Sequence, residues 1–158
     1  MAKKLVAYFT ASAGGVTRRA AEALAAAAGA DLVEIAPVEA YTAEDLDWRD
    51  AHSRSTLEHK DAASRPAIRQ AANTDGYDTI FVGFPIWWYT APQVIRIYLE
   101  SGDFAGKTVV PFATSGGSGL GGTVEDLRPS APAANWKPGR MLNGRLDAAE
   151  LKAWAEEQ

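Results

Sequence analysis

The sequence predicts an α/β fold, a doubly wound parallel sheet with helices packed against it. Three observations predict it. Apolar runs of strand length recur along the chain with Gly, Ser or Pro just after them; three are continuously apolar rather than alternating, as strands buried on both faces are; and helical patterns lie between them. At 158 residues the chain has room for one domain, residues 1–158, and little else.

In chain order, Leu5-Val6-Ala7-Tyr8-Phe9 is the first predicted strand. An alanine-rich helix follows from Thr17 to Ala28, with Ala20, Leu24 and Ala28 on one stripe and Gly29 as its stop. The second strand is Leu32-Val33-Glu34-Ile35-Ala36 and the third Thr79-Ile80-Phe81-Val82-Gly83-Phe84. A helix from Thr90 to Ser101 opens on Thr90-Ala91-Pro92, a capping residue with Pro in the first turn, and carries Val94, Ile95, Tyr98 and Leu99 as its apolar stripe. Thr108-Val109-Val110-Pro111-Phe112-Ala113 is the fourth strand, Thr123-Val124-Glu125-Asp126 opens a short helix, and a weaker fifth strand lies near Arg140-Met141-Leu142. Asp147-Ala148-Ala149-Glu150 has the spacing of a capping box before Leu151 and Trp154. Residues 40–76 break the rhythm and are expected to hold a helix with irregular flanks. Between Ala43 and Asp61 six acids face three bases, most of the protein's net charge of −4.

Composition removes several function classes. There is no cysteine, which excludes disulfides, zinc fingers, iron–sulfur clusters and a thiol nucleophile. Any redox chemistry must therefore use a borrowed organic cofactor. The two histidines, His52 and His59, are seven apart and would share one side of a helix, but two His rarely make a metal site, and none is expected. A Ser–His–Asp hydrolase lacks its G-x-S-x-G elbow, the nearest serine between glycines being Ser118. The acidic balance argues against nucleic acid as the main partner. No apolar run is long enough to span a bilayer, and the five apolar residues after Lys3-Lys4 are too few for a signal peptide, so a cytoplasmic protein without a membrane partner is expected.

In an open parallel sheet, ligands bind beyond the carboxyl ends of the strands. After the first strand comes Thr10-Ala11-Ser12-Ala13-Gly14-Gly15-Val16-Thr17, leading into a helix. Hydroxyls and glycines at a helix N-terminus can wrap a phosphate, with backbone N–H groups and the positive dipole end facing it; the alternative is a flexible turn capped by Thr17. Neither a Walker A loop nor G-x-G-x-x-G is present. After the third strand, Pro85-Ile86-Trp87-Trp88-Tyr89-Thr90 holds three consecutive aromatics, either a wall against a planar ring or anchors for the loop. After the fourth comes Thr114-Ser115-Gly116-Gly117-Ser118-Gly119-Leu120-Gly121-Gly122, whose glycines allow a backbone to approach a ligand closely, or form a mobile linker. A phosphorylated flat heteroaromatic fits the three loops together. Trp48 and Trp154 read as packing residues, with Trp48 also placed to cover a cofactor mouth.

The segments Val6-Ala7-Tyr8-Phe9, Gly15-Val16-Thr17, Gly83-Phe84-Pro85-Ile86-Trp87-Trp88, Ala91-Pro92 and Pro111-Phe112-Ala113-Thr114-Ser115-Gly116-Gly117-Ser118-Gly119 make the chain resemble the flavodoxin-like family of short FMN-binding proteins. The resemblance runs over nearly the whole chain. It implies a five-stranded parallel sheet in the order 2-1-3-4-5, helices on both faces, and FMN lying across the first, third and fourth loops. It puts Thr10, Ser12, Gly14, Gly15, Val16 and Thr17 at the FMN phosphate. Pro85, Ile86, Trp87, Trp88 and Tyr89 would flank the isoalloxazine, and Ser115, Gly116, Gly117, Ser118 and Gly119 would meet its far edge. The first loop is two residues longer than the family's usual hydroxyl-x-hydroxyl-Gly-x-Thr.

The resemblance leaves two functions open, an electron carrier acting on a redox partner protein or small acceptor and an NAD(P)H-dependent reductase of quinones or similar acceptors; a third, non-redox reading is that the fold holds some other phosphate-bearing ligand. Carriers of this family favour a residue with φ > 0 beside the ring, and the stretch from Pro85 to Thr90 has neither Gly nor Asn, which tilts toward the reductase. The whole-chain likeness to small flavodoxins with no evident nicotinamide pocket, and the acidic residues 44–50 where a protein could dock, put the carrier ahead, with the reductase as the alternative.

Overall fold

The computed structural model describes residues 3–10, 15–47, 49–61, 66–87, 90–114, 120, 122–143 and 146–158. Strands β1 (Lys4–Tyr8), β2 (Asp31–Glu34), β3 (Thr79–Pro85), β4 (Thr108–Thr114) and β5 (Asn135–Trp136) form a parallel sheet in the order β2-β1-β3-β4-β5, and β6 (Arg140–Met141) adds a second short pairing to β4. The expected order is thus the observed one, with a sixth strand besides. The stretch predicted as the fifth strand is β6, beside Phe112 and Ala113; the fifth place is held by Asn135 and Trp136, beside Thr108 and Val109.

Alternation along the strands divides the core in two. Leu5, Ala7 and Phe9, with Ile80, Val82 and Phe84, point to the face covered by α3 (Gln93–Glu100) and by Leu127 of α4 (Thr123–Leu127). Val6, Tyr8, Phe81, Val110 and Phe112 point to the face covered by α1 (Val16–Ala28) and α5 (Ala148–Glu156). Burial on both faces is why these strands read as unbroken apolar runs. On the α1–α5 face Gly83 lies under the Phe112 ring, and a Cβ there would stand 2.1 Å from it.

Several boundaries differ from the sequence reading for identifiable reasons. The third helix begins at Gln93 with Pro92 as its N-cap, because Thr90 instead exchanges backbone hydrogen bonds with Trp87. Asp147 caps α5 by accepting from the N–H groups of Ala149 and Glu150, but the capping box is not reciprocal: the Glu150 carboxylate lies 3.8 Å from Arg140. Trp154 packs on Phe81, ring centroids 5.5 Å apart, as a packing residue should. In the excursion α2 (Arg54–Lys60) is capped by Ser53, and His52 falls in the turn before it, so the two histidines do not share a helix face. Around it the chain pairs with itself: Val38 N–H donates to Ala67 O at 2.9 Å and Arg69 N–H to Ala36 O at 2.8 Å. Among the described residues no helix is long and apolar enough to cross a membrane.

Candidate functional site

The three loops singled out by the sequence grow from strands hydrogen-bonded to one another at their carboxyl ends. Phe9 N–H donates to Gly83 O and Ile86 N–H to Thr114 O, both at 2.9 Å, so β1, β3 and β4 deliver their loops to one place. A side-chain bond completes the junction. The hydroxyls of Thr17, in the first turn of α1, and Thr114, the last residue of β4, lie 2.7 Å apart and buried. Thr17 therefore joins the first loop to the third and is not a helix cap.

The N-cap of α1 is Gly15, in the left-handed region at φ 55°, and among the described residues no side chain caps the helix. A Cβ at Gly15 would fall 2.8 Å from that of Arg18. No acid occupies the first turn, where Arg18 and Arg19 follow Thr17. A helix start with no acid in its first turn attracts anions through its first-turn N–H groups and the dipole. Val16 is 52% exposed, so the helix start faces outward. Thr10 is half-buried just beyond β1. Ser12 and Gly14 lie outside the described residues.

In the second loop, Pro85 closes β3 beside Thr114, and Ile86 and Trp87 pack against the α3-side core. Trp87 is held edge-on by two rings, Phe9 at 5.8 Å and Tyr41 at 5.4 Å between centroids, and Phe9 and Tyr41 touch each other at 5.6 Å. Of the three consecutive aromatics, Trp87 is thus an anchor; Trp88 and Tyr89 lie outside the described residues. Beyond them the Thr90 hydroxyl donates to the Asp126 carboxylate at 2.7 Å, tying the loop to α4.

Tyr41 went unpredicted. Its hydroxyl donates to the Glu58 carboxylate, and the Arg54 guanidinium lies over its ring, 3.9 Å from the centroid. Arg54 also donates to Glu58 at 3.0 Å and to Glu39 O at 2.8 Å. Burial first, then the Glu58 hydrogen bond and charge, push the Tyr41 phenol far above its ordinary value, so it remains a donor. The i, i+4 spacing of Arg54 and Glu58 was a signal of this network; the contact to Tyr41 had none.

In the third loop only the edges are described. Thr114 is buried, Leu120 packs on the core and its carbonyl accepts from the Thr123 hydroxyl. Ser115, Gly116, Gly117, Ser118 and Gly119 lie outside the described residues, as does Trp48. The donor set suits FMN in one testable respect: a phosphate dianion is favoured at a helix start without acids in its first turn, and α1 offers one.

The sequence profile of the flavodoxin family matches residues 3–158. Among solved structures, a Bacteroides eggerthii protein assigned as a flavoprotein is 48% identical, with a TM-score of 0.92 over 99% of this chain and 98% of its own. A Bacteroides uniformis counterpart is also 48% identical, with a TM-score of 0.90 over 98% of each chain. A Lactobacillus acidophilus flavoprotein solved in complex with FMN has 22% identity and a TM-score of 0.72 over 98% of this chain and 99% of its own. No curated protein matches the chain significantly.

Proposed function

The chain belongs to the flavodoxin family, and from that premise we propose that it holds one noncovalent FMN and passes electrons through it to a partner protein or small acceptor. When bound, FMN supplies reversible uptake of one or two electrons at its ring. The observation that carries the reading is the junction of loop roots: Phe9 to Gly83, Ile86 to Thr114, and Thr17 to Thr114, all at one end of the sheet. In this reading the first turn of α1, entered through Gly15, binds the phosphate with Thr10, Ser12, Gly14, Val16 and Thr17. Trp87, fixed by Phe9 and Tyr41, sets the position of the aromatic wall that excludes water, and the backbone from Ser115 to Gly119 faces the far edge of the ring. No cysteine is present to form a thioether to the cofactor. The FMN complex of the Lactobacillus acidophilus protein of the same fold supports the choice of cofactor.

Calorimetric titration of the stripped protein tests the phosphate site. FMN should bind at least about a hundredfold tighter than riboflavin, a difference of ~2.7 kcal/mol; equal affinities overturn it. The reductase reading keeps one specific support, the absence of Gly and Asn between Pro85 and Thr90. Anaerobic stepwise reduction separates the two. A well-populated one-electron stage supports the carrier, whereas direct two-electron bleaching with steady NAD(P)H consumption on adding a quinone supports the reductase.

A further inference from the structure

We propose that a single water molecule is bound between α2 and the head of α3, behind Trp87, as a fixed joint between the excursion and the second loop. This goes beyond the cofactor reading and stands without it. A cavity of about 10 Å³ lies there, lined by Ser55, Glu58, His59, Trp87, Ala91, Pro92 and Gln93. That volume holds one water and nothing larger.

Two of its polar atoms are left without partners inside the protein. Ser55 is 2% exposed and Gln93 7%, and neither the Ser55 Oγ nor the Gln93 Oε1 has a hydrogen-bond partner among the described residues. The Gln93 amide is oriented, because its Nε2 donates to Asp61 O at 3.3 Å, which leaves Oε1 as the arm in need of a donor. An occupant must therefore donate to Gln93 Oε1 and either accept from or donate to Ser55 Oγ. Water does both. A small cation is disfavoured by charge: the carboxylate on the cavity wall, Glu58, is already matched by Arg54 at 3.0 Å and bonded by Tyr41. Both Glu58 oxygens are engaged, one by Tyr41 and one by Arg54, so neither is free to hold a cation against its hydration. The water would bridge Ser55 of α2 to Gln93, the first residue of α3, beside Trp87.

A crystal structure of the full chain at high resolution, together with the stability of Ser55→Ala, tests this. The expected density is one peak at water-like distances, about 2.7–3.2 Å, from both Ser55 Oγ and Gln93 Oε1. Removing the hydroxyl from such a bridge should lower the folded-to-unfolded ratio about fivefold in urea denaturation. A dry cavity predicts the opposite sign, because S55A would delete an unpartnered buried hydroxyl and gain helix propensity. An unchanged or raised ratio overturns the proposal. So does a structure in which Ser55 turns to a backbone carbonyl with no peak, or one with a cation at markedly shorter distances. The crystallographic result decides even if the variant fails to fold.

Discussion

The two faces of the sheet are built from different materials. Against the α1–α5 face lie small side chains: Ala20, Ala21 and Ala25 of α1 and Ala155 of α5, around Leu24 and Leu151. Small residues bring a helix close to a sheet, and in that close approach Thr17 of α1 reaches Thr114 of β4. On the other face α3 presents larger side chains, Val94, Ile95, Tyr98 and Leu99, and at its upper end Phe9, Trp87 and Tyr41 meet. There the excursion adds charged and polar groups, Arg54, Glu58, Ser55 and Gln93, close to the second loop. The first face has no room to adjust and sets the fold. In the proposed reading the second is where the site is tuned. Damage on the first face should remove the protein, and damage on the second should alter its ligand site while sparing the sheet.

The largest effect belongs to the first face. In Gly83→Val the new side chain starts from a Cβ 2.1 Å from the Phe112 ring, in a layer pinned by β1 on one side and β4 on the other. Overpacking of this kind should cost ~3 kcal/mol or more, since the backbone of a central strand cannot retreat. Urea denaturation measures it. A loss under ~1 kcal/mol would mean that the face does yield, and the contrast would fail.

On the other face, Tyr41→Ala removes the ring that braces Trp87 and leaves Glu58 and Arg54 with less to hold. A half-buried ring should cost about 2 kcal/mol in stability, leaving the protein folded. FMN affinity should weaken about tenfold, ~1.4 kcal/mol, with part of the flavin fluorescence quenching lost. Tyr41→Phe keeps the ring and removes only the bond to Glu58, so it should retain most of the affinity. If Y41A changes stability but neither affinity nor quenching, the excursion is scaffold and not part of the site.

The same contrast explains what the sequence made legible. The apolar runs from Leu5, Thr79 and Thr108 announced themselves because both faces of those strands are buried, and from them the parallel sheet followed. The loops were legible because glycines and hydroxyls follow strand ends. The fifth strand was not, because Asn135 and Trp136 are two residues held by pairing to β4 and by the Trp136 indole N–H donating to Ala131 O, neither of which leaves a periodic pattern. Thr90 looked like a helix cap and serves instead as the partner of Trp87 and Asp126. Tyr41 sits in a polar stretch, and its meeting with Trp87 spans 46 positions, a distance that local patterns do not encode.

The Thr17–Thr114 bond crosses from the α1 side to the end of β4, and its behaviour follows from an asymmetry. Either single change, Thr17→Val or Thr114→Val, leaves one buried hydroxyl unpaired and should cost ~1–2 kcal/mol. The double variant removes both hydroxyls and should be more stable than either single one. A double-mutant cycle in urea reads this directly, and additive losses would show that the two hydroxyls do not depend on each other. Riboflavin affinity should change less than FMN affinity in T17V, because the proposed reading puts the residue at the phosphate end.

The smallest effect is a pH dependence carried by the excursion. Burial first, then the charge of Lys60, lower the His59 imidazole below its ordinary 6.5. Between the folded and unfolded values the unfolded chain binds more protons than the folded one, so stability rises with pH across that window. The fold is therefore strongest, as far as His59 is concerned, above 6.5, and weakens as pH falls below it toward the lowered value. Carboxylates titrate in the same acid range, and the comparison with His59→Gln removes their contribution because both proteins share them. The stability difference between wild type and H59Q should be flat above about pH 7 and move in favour of H59Q below about pH 6. Urea denaturation of both proteins at four pH values suffices. A difference moving the other way would mean that the folded protein stabilises the imidazolium. Glu58 shares the cavity wall with His59, and a pairing between them would draw Glu58 from Arg54 and Tyr41, loosening the network by which the excursion braces Trp87.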